Sequence, residues 1–159
     1  MSGKKRIRAV AVIINKEEIL LMRRVKYNKE YYVFPGGGVE KGETVKQAVL
    51  RETKEETSLE IKIEKLLYHH IYNDGTEHFF YLCRYLSGRP ALGEANEARN
   101  MMENDNNFYN PEWHRIKDLA QLLLYPLEIR DWLIDDIKTN FKNIPKEAAL
   151  KVSELRQSF

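Results

Sequence analysis

Only one cysteine, Cys83, occurs in 159 residues, so no intrachain disulfide can staple this chain. Its apolar neighbours, "FFYLCRYL", predict a buried, inert thiol and a reducing compartment, with the cytoplasm as the expected location. No apolar run approaches the length of a bilayer span, and no signal-peptide core follows the N-terminal charges, so no membrane partner is expected. Excess charge of one sign is lacking too. Lys and Arg total 26 against 24 Asp and Glu, a formal net charge of +2. So small an excess draws the chain to no polyanion, and no stable nucleic-acid partner is expected. The basic "KKRIR" (Lys4 to Arg8) is short, runs straight into a strand-like segment, and reads as a solvated terminus. There is no internal repeat and no low-complexity linker. What remains, 43% hydrophobic and 31% charged, is the composition of a globular domain large enough to bury a core.

The periodicities are mixed. "RAVAVIIN" (Arg8 to Asn15) predicts a strand buried on both faces, and "ILLMRR" (Ile19 to Arg24) its hairpin partner. "YYVF" (Tyr31 to Phe34) is a short strand that ends at Pro35 and three glycines, and a helix follows over Thr44 to Thr57. Leu59 to Tyr72 holds one or two strands. The Asp74-Gly75 pair marks a tight turn, and Glu77 to Leu86 pairs back. Ser87 to Asn107 is polar and irregular, the kind of long loop that is often functional. Phe108 to Ile116 reads as a strand or edge segment. Ile116 to Leu124 and Pro126 to Phe141 read as helices, the second with an Ile129, Trp132, Leu133, Ile137 stripe. These elements make residues 1–141 one α/β domain. Residues 142–159 form a C-terminal tail, either a last helix or disordered. The last helix and tail are the segments available to a homodimer contact.

One helix is oddly charged. Thr44 and Gln47 have capping-box spacing, and Val45, Ala48 and Val49 form one apolar face. Glu52 and Glu56 continue that face, with Glu55 at its flank. Acids near a helix C-terminus oppose the macrodipole by about 0.3–1 kcal/mol each, and like charges one turn apart cost roughly 0.2–0.5 kcal/mol per pair. Arg51 offsets part of this through Glu55 at i+4. A divalent cation would offset more, since Mg²⁺ takes oxygen ligands from a few carboxylates, waters and substrate phosphates. The alternative is a solvated acidic face. Gly36, Gly37 and Gly38 precede the helix, with Gly42 just before it, and such a loop lets backbone approach a phosphate.

Together these residues resemble the signature of the Nudix hydrolases, MutT-like proteins among them. The signature is G-x5-E-x7-R-E-U-x-E-E-x-G-U, with U a bulky aliphatic residue. Gly37, Glu43, Arg51, Glu52, Glu55, Glu56 and Leu59 fall on it without a gap, and "FPGG" (Phe34 to Gly37) matches the usual lead-in. Two positions depart. Thr53 stands where an aliphatic residue is usual, and its hydroxyl is expected to bond back along the helix. Ser58 replaces a glycine, at about 1–2 kcal/mol if the backbone there has positive φ. Neither position is a metal ligand in the family.

The resemblance implies an α/β/α sandwich around a mixed β-sheet, with a loop-helix-loop catalytic motif. It implies hydrolysis of a phosphoanhydride in a nucleoside di- or triphosphate derivative, a small-molecule nucleotide substrate, and Mg²⁺ or Mn²⁺ as cofactor. It makes Glu52, Glu55 and Glu56 the metal ligands and lets Glu43 and Arg51 position them. Gly36, Gly37 and Gly38 supply backbone approach. A further glutamate from a later loop acts in many members as ligand or general base. Glu97 is the candidate here, ahead of Glu94 and Glu103. Arg23 and Arg24 are candidates for substrate phosphates. Tyr27, Tyr31, Tyr32, Phe34, Phe108 and Tyr109 are candidates for stacking on a base, against plain packing. His69, His70 and His78 lack zinc-site spacing and read as cross-strand packing. Trp113 and Trp132 read as core. No proline lies near Gly75, where ADP-ribose hydrolases often carry one. The alternative function is a non-catalytic Nudix module for ligand sensing or interaction. An RNA-end pyrophosphohydrolase would call for a basic groove that the near-neutral charge does not favour.

Overall fold

The computed structural model describes residues 6–93 and 107–150. Strands β1 (Ile7–Asn15) and β2 (Glu18–Lys26) form the expected antiparallel hairpin, turning at Lys16. β3 (Lys29–Val33) returns along β2, and the short glycine strand β4 (Gly36–Gly38) pairs with β1. Helix α1 (Val45–Thr57) leads to the long hairpin of β5 (Glu60–Tyr72) and β6 (Glu77–Ser87). β5 is one bulged strand rather than two. After β7 (Asn107–Arg115), which pairs with β2, come a 3-10 helix (Ile116–Gln121), β8 (Leu124–Tyr125), α2 (Leu127–Lys138) and β9 (Lys146–Leu150).

The sheet runs β8-β3-β2-β1-β6-β5-β9, with β4 added on β1 and β7 on β2. The β1–β6, β3–β8 and β5–β9 pairs are parallel and the rest antiparallel. β1 shows why this makes three layers. Ala9, Ala11 and Ile13 pack toward Ala48, Val49, Leu59 and Cys83 on the α1 side. Val10 and Val12 pack toward Leu119, Ile129 and Leu133 on the other. Alternation along a strand puts successive side chains on opposite faces, so a strand apolar at every position needs a layer on each side. The result is the sandwich around a mixed sheet that the resemblance implies.

Three expectations shift. The helix expected over 116–124 is a 3-10 turn. Leu124 then goes extended to pair with Tyr32, and Pro126 follows. α2 stops at Lys138 because Asn140 and Phe141 take left-handed backbone. Residues 146–150, expected in a helical or disordered tail, are a strand along the edge of β5. A piece this short cannot nucleate a helix, whereas a free sheet edge offers its backbone partners at once. Asp136, only 2% exposed, clamps it. Lys146 Nζ donates to Asp136 at 2.7 Å, and the Tyr68 hydroxyl donates to the same carboxylate at 2.6 Å. The α2 stripe thus carries a buried acid that the apolar pattern did not show. Trp113 and Trp132 are half-buried at the rims of the two cores rather than inside them.

Candidate active site

The site begins with the capping box. Thr44 Oγ1 accepts from the Gln47 N–H at 3.1 Å, and Gln47 Oε1 accepts from the Thr44 N–H at 2.9 Å, which fixes where α1 starts. Helical spacing then buries Ala48, Val49, Thr53 and Thr57 against the sheet. Glu52 and Glu56 lie beside that buried line, half-buried, and Glu55 is exposed. The carboxylates flanking the line meet the glycine strand. Gly36 N–H donates to Glu56 Oε2 at 3.2 Å. A Cβ on Gly37 would overlap the Glu52 carboxylate, and one on Gly36 would overlap the carbonyl oxygen of Ala9. Only glycine admits this approach.

Arg51 holds the motif together. Its Nε and Nη2 donate to the two oxygens of Glu43 at 2.7 and 2.9 Å, a bidentate fork. Nη1 donates to Glu52 at 2.9 Å and to Glu55 at 3.3 Å, and Nη2 also reaches the Gly38 carbonyl at 3.0 Å. These contacts hold the Arg51 pKa above its ordinary value and, with the Glu40 N–H, hold the Glu43 carboxyl down at about 2. Glu56 goes the other way. Burial pushes its pKa up to about 7, the Glu52 charge adds to this, and the Gly36 N–H together with the charges of Arg8 and Arg24 oppose it.

The donor set suits a hard divalent cation in a limited sense. Glu52 and Glu56 supply oxygens at i, i+4, the hard donors such an ion takes. No group of three His, Cys, Asp or Glu side chains converges as a ready metal nest among the described residues. Glu55 is half exposed and turned to Arg51. Glu52 and Glu56 are the carboxylates that would hold such an ion.

The other candidates separate. Arg24 lies on the α1 side of β2, its guanidinium 6.0 Å from the Tyr31 ring and 5.6 Å from the Tyr109 ring, and its charge acts on Glu56. Arg23 alternates to the other face and pairs with Glu30 at 3.0 Å. Glu94, Glu97 and Glu103 lie outside the described residues. Phe34 is core, edge-on to Phe80 at 5.7 Å, and Tyr31 is buried. Tyr32 meets His114 edge-on at 4.7 Å, and Tyr27 is exposed at the β2–β3 turn. Cys83 is buried, its thiol pushed up to about 12. His69 stacks on Phe79 at 4.2 Å.

The departures at Thr53 and Ser58 are now explained in part. The Thr53 hydroxyl does not bond back along the helix. It is buried and has no hydrogen-bond partner among the described residues, whereas one turn on Thr57 Oγ1 does bond back, to the Thr53 carbonyl at 2.6 Å. Ser58 does sit at positive φ (62°), and its Oγ donates to the Ala91 carbonyl at 2.6 Å, a bond glycine cannot make. Ala91 N–H donates to the Thr57 carbonyl and Gly93 N–H to the Glu55 carbonyl, so residues 91–93 close the open end of the helix. Arg8 was missed. Its place inside a basic run masked it.

The α1 acids, Arg51 and the glycine strand thus form one connected cluster, and comparison gives the family. The NUDIX domain model matches residues 4–134, so the chain belongs to the Nudix family. A putative nudix hydrolase 1 of Caenorhabditis elegans is 29% identical over 157 residues, covering 94% of this chain and 40% of that protein. An ADP-ribose pyrophosphatase of Methanocaldococcus jannaschii is 51% identical over 63 residues, 37% of each chain. The matches thus span about two fifths of these curated relatives. The crystal structure of a NUDIX hydrolase from Nitrosomonas europaea superposes with a TM-score of 0.70 at 15% identity, covering 94% of this chain and 80% of that one, a likeness of fold.

Proposed function

We propose that the protein is a metal-dependent pyrophosphohydrolase that cleaves a phosphoanhydride bond in a nucleoside di- or triphosphate derivative. The observation that carries this is the Glu52–Glu56 pair aimed at the Gly36–Gly37 backbone, with Arg51 bracing it from behind. Mg²⁺ or Mn²⁺ held there would neutralise anhydride charge and lower the pKa of water. The chain's own residues do the positioning. Gly36 N–H fixes the Glu56 carboxylate. Arg51 holds Glu52 and Glu55 in place while Glu43 absorbs its remaining donors. Arg24 presents positive charge to the substrate side of Glu56. Glu97 remains the candidate for an added ligand or base. Two similar proteins are named ADP-ribose pyrophosphatases, so ADP-ribose belongs beside nucleoside triphosphates in the first substrate panel. A reducing, cytoplasmic setting suits the buried Cys83.

The test is release of phosphate, pyrophosphate or nucleoside monophosphate across that panel with Mg²⁺ or Mn²⁺, for wild type and Glu56→Gln. The amide keeps the shape and the Gly36 bond, so the variant should stay folded and lose most turnover. Equal activity in the variant would overturn the assignment. Ligand binding with no turnover of any panel member would favour a sensing module instead.

A further inference from the structure

The end of α1 is fastened from outside the helix. After β6 the chain turns at Gly88, whose φ of 105° lies in the left-handed region, and runs back across the last turn of α1 as far as Gly93. The Tyr85 hydroxyl donates to the Gly88 carbonyl at 2.8 Å and fixes the turn. A Cβ on Gly88 would stand 3.0 Å from the Ser58 carbonyl oxygen, so the turn lies directly on the helix cap. Leu92, 8% exposed, is the apolar anchor of this strap. Hydrogen bonds then tie it to the helix. Ser58 Oγ donates to the Ala91 carbonyl at 2.6 Å, Ala91 N–H to the Thr57 carbonyl at 3.0 Å, and Gly93 N–H to the Glu55 carbonyl at 2.9 Å.

The two carbonyls that accept from the strap, Glu55 and Thr57, flank Glu56 in the chain. Glu56 is therefore held at both ends. Its backbone lies between strap-bonded neighbours, and its carboxylate accepts from the Gly36 N–H. Such bracing answers a weakness of this helix. The last four carbonyls of a helix have no partner within it, and its ends fray. Acids there oppose the macrodipole and repel one another one turn apart. Glu56 lies in the last turn and Glu52 one turn before it, so fraying would move one of these carboxylates relative to the other. A lysine or arginine capping the same carbonyls would compete with an ion for those carboxylates. The strap opposes fraying with neutral donors and occupies no carboxylate oxygen.

We propose that Ser58 is a positioning residue for the metal site. Its hydroxyl fastens the 88–93 strap to the end of α1, and the strap holds Glu56 in the register with Glu52 that binding a divalent ion requires. The inference rests on the metal-dependent reading above and deepens it. It gives a role in the site to a residue that is not a ligand and that departs from the signature.

The test is Mn²⁺ binding to the metal-free full chain without nucleotide, followed by electron paramagnetic resonance, for wild type, Ser58→Gly and Gly93→Ala. Ser58→Gly loses the hydroxyl yet relieves the left-handed backbone, so its urea midpoint should stay close to wild type. Its Mn²⁺ binding should nonetheless weaken about 3- to 10-fold, the worth of one neutral hydrogen bond. A merely structural cap would leave the affinity of an equally stable variant unchanged. Gly93→Ala brings a methyl carbon to 2.7 Å from the Glu55 carbonyl oxygen, so the strap must shift and affinity should fall at least as far. Amide exchange at Ala91 and Gly93 should quicken in Ser58→Gly, and in turnover both variants should need more Mn²⁺ for half-maximal rate. Wild-type Mn²⁺ affinity in either variant, or no Mn²⁺ binding by the wild type at millimolar concentration, overturns the proposal. Nucleotide turnover with variant affinities unchanged would leave the hydrolase assignment standing without it. Strap-dependent Mn²⁺ binding with no turnover of any nucleotide would sink the hydrolase assignment and leave the role of Ser58 standing.

Discussion

Replacing His70 with phenylalanine should flatten the pH dependence of stability by a predictable amount. The imidazole is fully buried, and neither ring nitrogen has a hydrogen-bond partner among the described residues. Burial lowers its pKa from 6.5 to about 4 in the folded state. The sign follows directly. Below pH 6.5 the unfolded chain takes up a proton that the folded chain refuses, so stability is fully present above 6.5 and is lost as pH falls toward 4. Between pH 7 and 5 the loss from this one residue is about 2 kcal/mol, approaching a slope of about 1.4 kcal/mol per pH unit at the acid end. Phenylalanine cannot titrate, so that part of the slope disappears. Any packing penalty, about 1–3 kcal/mol if the ring overfills the site, shifts the whole curve without tilting it. The assay is urea denaturation of wild type and variant at several pH values from 7 to 5, with chelator present. Parallel curves would refute the reasoning, since they would mean that His70 titrates in the fold as freely as in the unfolded chain. His78 is common to both proteins and cancels to first order.

Two paired substitutions test the geometry around the helix. Gly37→Ala places a methyl group on the Glu52 carboxylate, whereas Gly38→Ala points into open space. Activity should fall about 100-fold in the first and stay near wild type in the second, and equal effects on kcat would count against the Glu52 contact. Ser58→Gly relieves left-handed strain of about 1–2 kcal/mol but gives up the Ala91 hydrogen bond, about 0.5–1.5 kcal/mol net. Its stability should match wild type within about 1 kcal/mol. Ser58→Ala keeps the strain and loses the bond, so its urea midpoint should be the lower of the two.

The acid site was legible because its determinants are local. A capping box spans four residues, the Glu52–Glu56 spacing is one helical turn, and glycines at 36–38 announce a close backbone approach whatever the rest of the chain does. Arg51 was readable as an ion-pair partner for Glu55, yet its dominant partner is Glu43, eight residues earlier in the loop before the helix. Helical periodicity assigned Glu52 and Glu56 to the buried stripe. In the fold Thr53 and Thr57 take that line, and the acids stand beside it, where they can reach β4. A rotation of one residue around a helix is within the tolerance of a periodicity argument and decisive for chemistry.

Taken alone, the sequence determined the two hairpins, the start of α1, the glycine approach and the spacing of the carboxylates, since each depends on residues within a few positions of one another. Tertiary structure decided which charges remain uncompensated. Arg8 looked like part of a solvated basic terminus until parallel pairing with β6 set it beside His78, with no carboxylate in ion-pair reach among the described residues. Asp136 lies outside the Ile129, Trp132, Leu133, Ile137 stripe, and only the return of β9 along β5 brought Lys146 to it. Electrostatic balance is summed over neighbours in space, and strand register, not chain order, chooses those neighbours.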